Sequence, residues 1–167
     1  MKLKTLITAA TVACFALGAS AKDGDSVINY EQLDAQMNAA QDEARAYLDT
    51  FFANILDENG FSQDGSGVKV AFPIGGDSVE VIWVSPFGQR DGQFIGVLAN
   101  RPRDIEGYSV GDTITFERDQ IRDWYVFGPN GKMFGSYTTR VMLADMSADA
   151  AAQLAEMLAN PPVPADW

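Results

Sequence analysis

The chain has 167 residues, with 12 Lys and Arg against 23 Asp and Glu, and therefore a formal net charge of −11. This acidic excess disfavours nucleic acid and anionic membrane surfaces as partners, because both need a basic patch on the protein. The chain contains no His, which excludes Ser-His-Asp and Cys-His nucleophiles, His-rich zinc sites and haem ligand pairs of the usual kind.

The first 21 residues have the order of an export signal. The basic start MKLK is followed by the short apolar run TLITAATVACFALG and by the small residues ASA, which predicts cleavage after Ala21. The run is shorter than the ~20 residues that span a bilayer. We therefore expect a periplasmic or secreted protein without a transmembrane segment, whose mature chain has no thiol because Cys14 leaves with the signal. The alternative is a lipoprotein that is acylated at Cys14.

A long amphipathic helix opens the predicted domain. After a loose segment, residues 22–28, apolar residues recur at steps of three and four from Leu33 to Ile55. This period predicts one helix over residues 29–58 with one face on the core. Gly60 then suits the left-handed residue that closes a helix.

A bent, mainly antiparallel sheet of five to seven strands is predicted for residues 68–143. The apolar period changes to two at Val68, and short runs rich in β-branched and aromatic residues alternate with Gly, Pro, Asn and Asp. The runs are VKVAFP, SVEVIWVSPF, QFIGVLAN, DTITF, IRDWYVF, KMFGSY and TTRVML. Together with the helices, this pattern predicts one α+β domain over residues 29–160.

A second, shorter helix and a tail are predicted for the C-terminal part. Ser147 is a suitable N-cap, and the segment SADAAAQLAEMLAN predicts a helix over residues 147–160. The expected packing side consists of Ala148, Ala152, Leu154, Ala155 and Leu158. The last residues, 161–167, read PPVPADW and are expected to form a Pro-rich extended tail.

The segment QIRDWYVFGPNGKMFGSYTTR, residues 120–140, concentrates charged and aromatic residues around a turn. Asn-Gly in PNGK favours a type I′ hairpin turn. In the strand before the turn, alternation would place Asp123 on one face with apolar residues and Trp124 on the other. The apolar residues of the Asp123 face would be Ile121, Tyr125 and Phe127. A buried carboxylate needs donors, which Arg140 or loop N–H groups could supply.

Two interpretations of this segment stay open. In the structural one, Asp123 holds a loop or an Arg in place, and Trp124 fills the core. In the functional one, an aromatic wall with polar contacts binds a peptide or a glycan. The candidate ligand-binding residues are Trp83, Asn100, Asp123, Trp124, Tyr125, Tyr137 and Arg140. No catalytic residue, metal ligand or cofactor is predicted.

Four segments, in this order along the chain, resemble the YegJ-like family, a bacterial family of unknown function. They are MNAAQDEARAYLDTFF, VSPFGQRDGQFIGVLANRP, GDTITFERDQIRDW and GSYTTR. The similarity covers about residues 33–143. The resemblance implies a compact α+β domain that is often exported, and it brings no catalytic residue, cofactor or substrate. Ser136 departs from the family pattern, in which a second glycine is frequent at this position.

From these features we expect a non-enzymatic binding or accessory module of the cell envelope. It would act on a protein or envelope partner through the face around Trp124 and Tyr137. One alternative is an immunity or inhibitor protein against a basic toxin or enzyme, because removal of Lys2 and Lys4 with the signal leaves 12 − 2 = 10 basic against 23 acidic residues, a charge of −13. A second alternative is a carboxylate-dependent hydrolase, which needs two carboxylates about 5–10 Å apart in a cleft. The sequence makes no prediction of the oligomeric state.

Overall fold

The computed structural model describes the fold of residues 30–167 and the side-chain environment from Asp34 onward. The predicted signal with its cleavage after Ala21, the lipid attachment at Cys14 and the loose segment 22–28 lie outside the described residues. Within them, the predicted α+β class is confirmed. Six strands form one antiparallel sheet, and four α-helices accompany it in this part of the chain.

The strands lie between two pairs of helices in the chain. The first pair is α1 (Tyr30–Ala46) and α2 (Leu48–Ile55), and the last pair is α3 (Tyr137–Met142) and α4 (Ala148–Met157). The strands are β1 (Ser66–Gly75), β2 (Ser78–Arg90), β3 (Gln93–Leu98), β4 (Thr113–Phe116), β5 (Ile121–Phe127) and β6 (Met133–Gly135). In space they follow the order β4-β3-β2-β1-β5-β6. No helix of residues 30–167 combines the length and the apolar character that crossing a membrane requires.

The single helix predicted over residues 29–58 is divided at Tyr47. The Tyr47 N–H bonds to the carbonyl of Ala44, three residues back, at 3.2 Å, which tightens the turn between α1 and α2. The apolar period continues across the break, so both helices turn buried side chains towards the core. The second helix ends at Ile55, and Gly60 adopts the expected left-handed conformation, with φ at 80°, in the turn that follows.

The core lies between the N-terminal helices and one face of the sheet. Trp124 of β5 is fully buried, and its indole N–H donates to the carbonyl of Ala44 at 2.9 Å. Its ring stacks on Phe51 of α2, with 4.8 Å between the centroids, and Trp167 packs on it at 5.6 Å. A buried aromatic ring of this kind removes roughly 150–250 Å² from water, so this cluster is a main source of stability.

The prediction of a strand for TTRVML is wrong, because residues Tyr137–Met142 form helix α3. The β-branched residues of this segment favour a strand. However, the carboxylate of Asp123 accepts the N–H groups of Tyr137 and Thr138, which are free donors in the first turn of a helix. A contact between residues distant in the chain therefore overrides the local preference, and the sheet ends at Gly135.

The hairpin between β5 and β6 is present, but its turn is of another type than predicted. The Gly131 N–H bonds to the carbonyl of Gly128 at 2.9 Å, so Pro129 and Asn130 are the central residues of the turn. Proline holds φ near −65°, whereas a type I′ turn needs a positive φ at this position. Gly131 supplies the left-handed residue instead, with φ at 73°.

The C-terminal segments occupy the positions expected in the chain but pack differently. Ser147 caps α4 as predicted, since its hydroxyl accepts the N–H of Ala150 at 3.4 Å. The expected packing side of this helix is largely exposed, and of its residues only Leu158 is buried. The predicted extended tail returns to the fold, where the carbonyl of Pro162 accepts the N–H of Gly135 at 2.7 Å.

Candidate functional site

The aromatic residues proposed as one wall lie on two sides of the sheet. Trp124 and Tyr137 are buried on the side of the helices, with 5.8 Å between their ring centroids. Trp83 and Tyr125 lie on the opposite side, where they are partly exposed and 5.1 Å apart. The structure therefore does not bring the four rings together, and Trp124 offers no surface to a ligand.

Strand register explains this division. Lys69 of β1 lies between Trp83 of β2 and Asp123 of β5, while the preceding residue, Val68, lies opposite Trp124. Because successive side chains of a strand point to opposite faces, the row of Lys69 and the row of Val68 face opposite ways. Val68 and Trp124 are fully buried, which identifies their side as the core.

One member of the predicted Asp123 face is displaced by a bulge. The pairing of β1 and β5 shifts between Lys69 and Val70, so that Val70 lies opposite Ile121. The extra residue of β5 turns Ile121 to the core side, where it is fully buried. The strict alternation that placed Ile121 beside Asp123 is therefore wrong at this end of the strand.

The face of the sheet opposite the core is called the open face below, and it carries a row of aromatic rings. Trp83, Tyr125 and Phe127 follow one another with centroid distances of 5.1 and 5.8 Å. Tyr125 lies directly over Gly67, where a Cβ atom would be 2.6 Å from the ring, so the glycine makes room for it. The open face also carries Lys69, Val79, Val81 and Ile95, together with Asp123, Arg90, Gln93 and Val97.

Four apolar side chains of the open face are substantially exposed. The exposed fraction is 49% for Val79, 42% for Val81, 46% for Ile95 and 40% for Phe127. Val79 and Val81 precede Trp83 on β2, and Phe127 contacts Tyr125 on β5, so these three extend the aromatic row, whereas Ile95 lies apart from it, opposite Gly88. Patches of this kind mark interaction surfaces more often than ordinary exposed residues do.

Asp123 is fully buried, and its carboxylate binds groups of the protein itself. Its carboxylate accepts the N–H groups of Trp124, Tyr137 and Thr138 at 2.8, 3.1 and 2.8 Å. The Thr138 hydroxyl donates to it at 2.6 Å. Burial raises the pKa of Asp123, and these hydrogen bonds and the charge of Lys69 act in the opposite direction. The carboxylate therefore anchors the first turn of α3 to β5.

Arg140 and Asn100 bind backbone groups of the protein itself. Arg140 donates to the carbonyls of Gly135 and Ala159, at 3.0 and 2.8 Å, and it makes no hydrogen bond to Asp123. Asn100 accepts the N–H of Trp83 at 3.2 Å. Asn100 connects the segment after β3 to β2, and Arg140 connects α3 to Gly135 and Ala159. These two side chains therefore stabilise the fold.

Lys69 was not among the predicted site residues, although it lies at the centre of the open face. Its ammonium donates to the Thr138 hydroxyl at 3.0 Å and lies 5.2 Å from the centre of the Trp83 ring. Burial lowers the pKa of Lys69, and the charge of Asp123 partly offsets this. The sequence signal that could have identified it is the lysine between the two valines of VKVAF, because strand alternation places it on the face opposite to theirs.

An open cleft adjoins the aromatic row beyond Phe127. It has a volume of about 670 Å³ and lies between the hairpin and the C-terminal tail. Phe127, Phe134, Pro164 and Trp167 form its apolar walls, and Asp64 contributes a carboxylate. Its size is within the usual range of ligand pockets, roughly 300–1,000 Å³.

Comparison with known proteins places the chain in a bacterial family. A family described as "Uncharacterized protein conserved in bacteria (DUF2314)" matches residues 34–158. The chain belongs to this family. The DUF2314 match includes both faces of the sheet and helix α3, and so it contains every residue of the open face.

A relative of this DUF2314 domain is a putative ankyrin repeat protein of Neisseria meningitidis serogroup B. It is 32% identical over 134 residues, which cover 75% of this chain and 52% of the relative. The chain thus spans about half the length of that protein. No solved structure matches.

The departure at Ser136 falls on a strained backbone position. Ser136 has φ at 54°, in the left-handed region, and it directly follows Gly135 at 70°. A Cβ atom at Gly135 would lie 2.3 Å from the carbonyl oxygen of Trp124, so that position requires glycine. Within the DUF2314 domain, this pair turns the chain from β6 into α3.

Proposed function

We propose that the chain is a non-enzymatic binding module that docks a protein partner on the open face. The supporting observation is the run of exposed apolar side chains at Val79, Val81 and Phe127, next to the rings of Trp83 and Tyr125. Soluble proteins rarely expose contiguous apolar areas without a binding role. The proposed surface differs from the one expected around Trp124 and Tyr137, because those rings are buried.

The proposed place of action is the cell envelope. The order MKLK, TLITAATVACFALG and ASA supports export with cleavage after Ala21, to the periplasm or the exterior. Attachment through an acylated Cys14 is the alternative form of the same proposal. In either form the partner would be a protein or another component of the envelope. We also propose, beyond the family match, that the chain is YegJ-like.

The Neisseria relative supports an accessory role. It is named a putative ankyrin repeat protein, and ankyrin repeats stack into extended concave surfaces that bind other proteins. About half of its length lies outside the similarity with this chain. A domain that occurs in such a protein is well suited to adding a second contact surface.

The charge of the chain favours one competing function, an immunity or inhibitor protein. After removal of residues 1–21 the formal charge would be 10 − 23 = −13, which would attract a basic toxin or enzyme. Binding of this kind depends on exposed acids and weakens with salt. A hydrolase is not proposed, because Glu80 and Asp123 already accept three and four hydrogen bonds from the protein.

Capture of partners from an envelope extract, with matched variants, tests the proposal. Residues 22–167 are immobilised as the wild type and as the variants Val81→Glu and Val110→Glu. Val81 lies on the open face, whereas Val110 is 57% exposed and lies in the loop between β3 and β4. Captured proteins are quantified by mass spectrometry.

The expected result is a partner that the wild type and Val110→Glu retain and that Val81→Glu loses, at unchanged melting temperature. Equal retention by the two variants would contradict docking on the open face. If all three proteins bind the partner at low salt and all three lose it at high salt, the inhibitor function is favoured.

A further inference from the structure

We infer that the segment docked on the open face is an acidic peptide and that Lys69 binds its carboxylate. This inference rests on the proposed function and adds the chemistry of the partner. It is carried by the position of Lys69 beside the aromatic row and by the protons of its ammonium that have no acceptor within the described chain.

Lys69 is the cation in the central row of the open face, whereas Arg90 lies on this face at the end of β2, where it pairs with Gln93. In the same row lie the Trp83 ring and the buried carboxylate of Asp123. The positions of this face nearest to the row of Lys69, before and after it, are uncharged: Gly67, Ala71, Pro73, Val79, Val81, Tyr125 and Phe127. In a chain with a net charge of −11, one ammonium that lies between the Trp83 ring and the internally bonded Asp123 carboxylate can hold one anionic group and not a polyanion.

The ammonium of Lys69 has donors to spare. It carries three protons, and its hydrogen-bond partner within residues 30–167 is the Thr138 hydroxyl at 3.0 Å. The two ion pairs closer than 4.0 Å in that part of the chain are Arg45 with Asp42 and Arg118 with Asp49, so Lys69 has no such partner. A carboxylate from outside could therefore accept at least one of its protons.

Asp123 cannot take this role. Both of its oxygens accept two hydrogen bonds each, from Trp124 and Tyr137 on one side and from the N–H and hydroxyl of Thr138 on the other. Because the Thr138 hydroxyl donates to Asp123, it presents a lone pair to Lys69, which fixes the direction of the ammonium. The ammonium thus has one internal acceptor, and its half-buried position has removed part of its water.

The aromatic row specifies what should accompany the carboxylate. Trp83 flanks the ammonium at 5.2 Å, and Tyr125 and Phe127 follow at alternate positions of β5. Side chains on one face of a strand repeat about every 6–7 Å, as do those of an extended peptide. A peptide with Glu between two aromatic residues would therefore place the carboxylate at Lys69 and a ring against Tyr125 or Val81.

The test uses two blocked pentapeptides, Phe-Ala-Glu-Ala-Phe and Phe-Ala-Gln-Ala-Phe, titrated into the ¹⁵N-labelled protein. The indole N–H signal of Trp83 reports binding, and that of buried Trp124 is the internal control. We expect the Glu peptide to bind about three- to fivefold more tightly than the Gln peptide at low salt. The preference should shrink at an ionic strength of about 0.5 M.

Variants of the two lysines of the described chain separate charge from packing. Lys69→Met should abolish the preference for Glu, Lys69→Arg should keep it, and Lys132→Met should leave it unchanged. Equal affinity of the two peptides for the wild type, a preserved preference in Lys69→Met, or no shift of the Trp83 signal at millimolar peptide would overturn the inference.

The same variants distinguish this inference from the proposed function. If the captured partner is lost with Val81→Glu but retained with Lys69→Met, the open face is the docking surface and the acidic chemistry is wrong. If both variants retain the partner, the proposed function itself fails.

Discussion

The two faces of the sheet are built from the same strands and differ completely in use. On the core face Trp124 is fully buried, its N–H is bonded to Ala44, and Phe51 stacks on it. On the open face its neighbour Tyr125 lies partly exposed against Trp83. Of two residues adjacent in the chain, one thus stabilises the core and the other forms part of the surface. Residue type alone does not distinguish the two roles, because both residues are aromatic.

The polar groups of the two faces also differ in how completely they are hydrogen-bonded. The buried indole N–H of Trp124 has a backbone acceptor on the core side. On the other side Asp123 is saturated by backbone and hydroxyl donors, whereas Lys69 keeps donors available. Satisfied polar groups stabilise the fold, and an incompletely satisfied one at a surface is a candidate contact.

The largest expected effect comes from truncating one tryptophan on each face. Trp124→Ala should lower the free energy of unfolding by about 3–5 kcal/mol, because it empties a packed core site. Trp83→Ala should cost about 1 kcal/mol, since its ring is partly exposed. Urea denaturation of both variants measures the difference. Equal losses would contradict the division of the faces.

A smaller effect is expected at Asp123, which connects the sheet to α3. Asp123→Asn should destabilise the protein by about 1–3 kcal/mol, because the amide keeps one acceptor oxygen and turns its NH₂ group towards N–H donors. The exposed neighbour provides the control, and Asp119→Asn should stay within about 0.5 kcal/mol of the wild type. Similar urea midpoints for the two variants would show that the carboxylate does not anchor the helix.

The smallest effect is a pH dependence at Lys69. Its pKa is lowered from the ordinary value of 10.5, so between the lowered pKa and 10.5 the unfolded chain binds more protons than the folded one. Stability contributed by this group therefore rises with pH through that window, and the cost of burying its charge is fully present below it.

We expect Lys69→Met to stay within about 1 kcal/mol of the wild type at neutral pH. The wild type should then gain on the variant as the pH rises towards 10.5. Unfolding by urea at neutral and alkaline pH measures this, with Lys132→Met as control. A difference between wild type and Lys69→Met that is independent of pH would contradict the assignment.

Much of the fold could be predicted because strands and helices have characteristic apolar periods. The runs from Val68 to Phe127 correspond to strands, and Ser147 caps a helix as expected. Errors occurred where a contact or ring geometry decided the outcome. Pro129 excluded the type I′ turn, and Asp123 converted the segment after Ser136 from strand to helix.

Less of the candidate site could be predicted. The sequence identified Trp83 and Tyr125 as surface candidates together with Trp124 and Tyr137, since all four are aromatic residues in or near strands. Whether each ring is buried or exposed depends on which face of the sheet packs against the helices. Strand alternation alone does not determine that face. The position of the Lys69 ammonium was not predictable from the sequence, because its hydrogen-bond partner Thr138 is 69 residues away in the chain.

The amino-acid sequence by itself determined the α+β class, the order of the strands along the chain and the acidic charge. These depend on the period and type of residues that are near one another, and backbone geometry translates them directly. Only the tertiary structure decided that Trp124 fills the core, that Asp123 begins a helix and that Lys69 stands among exposed rings. Each of these depends on strand register and on contacts between distant segments, which local periodicity does not encode.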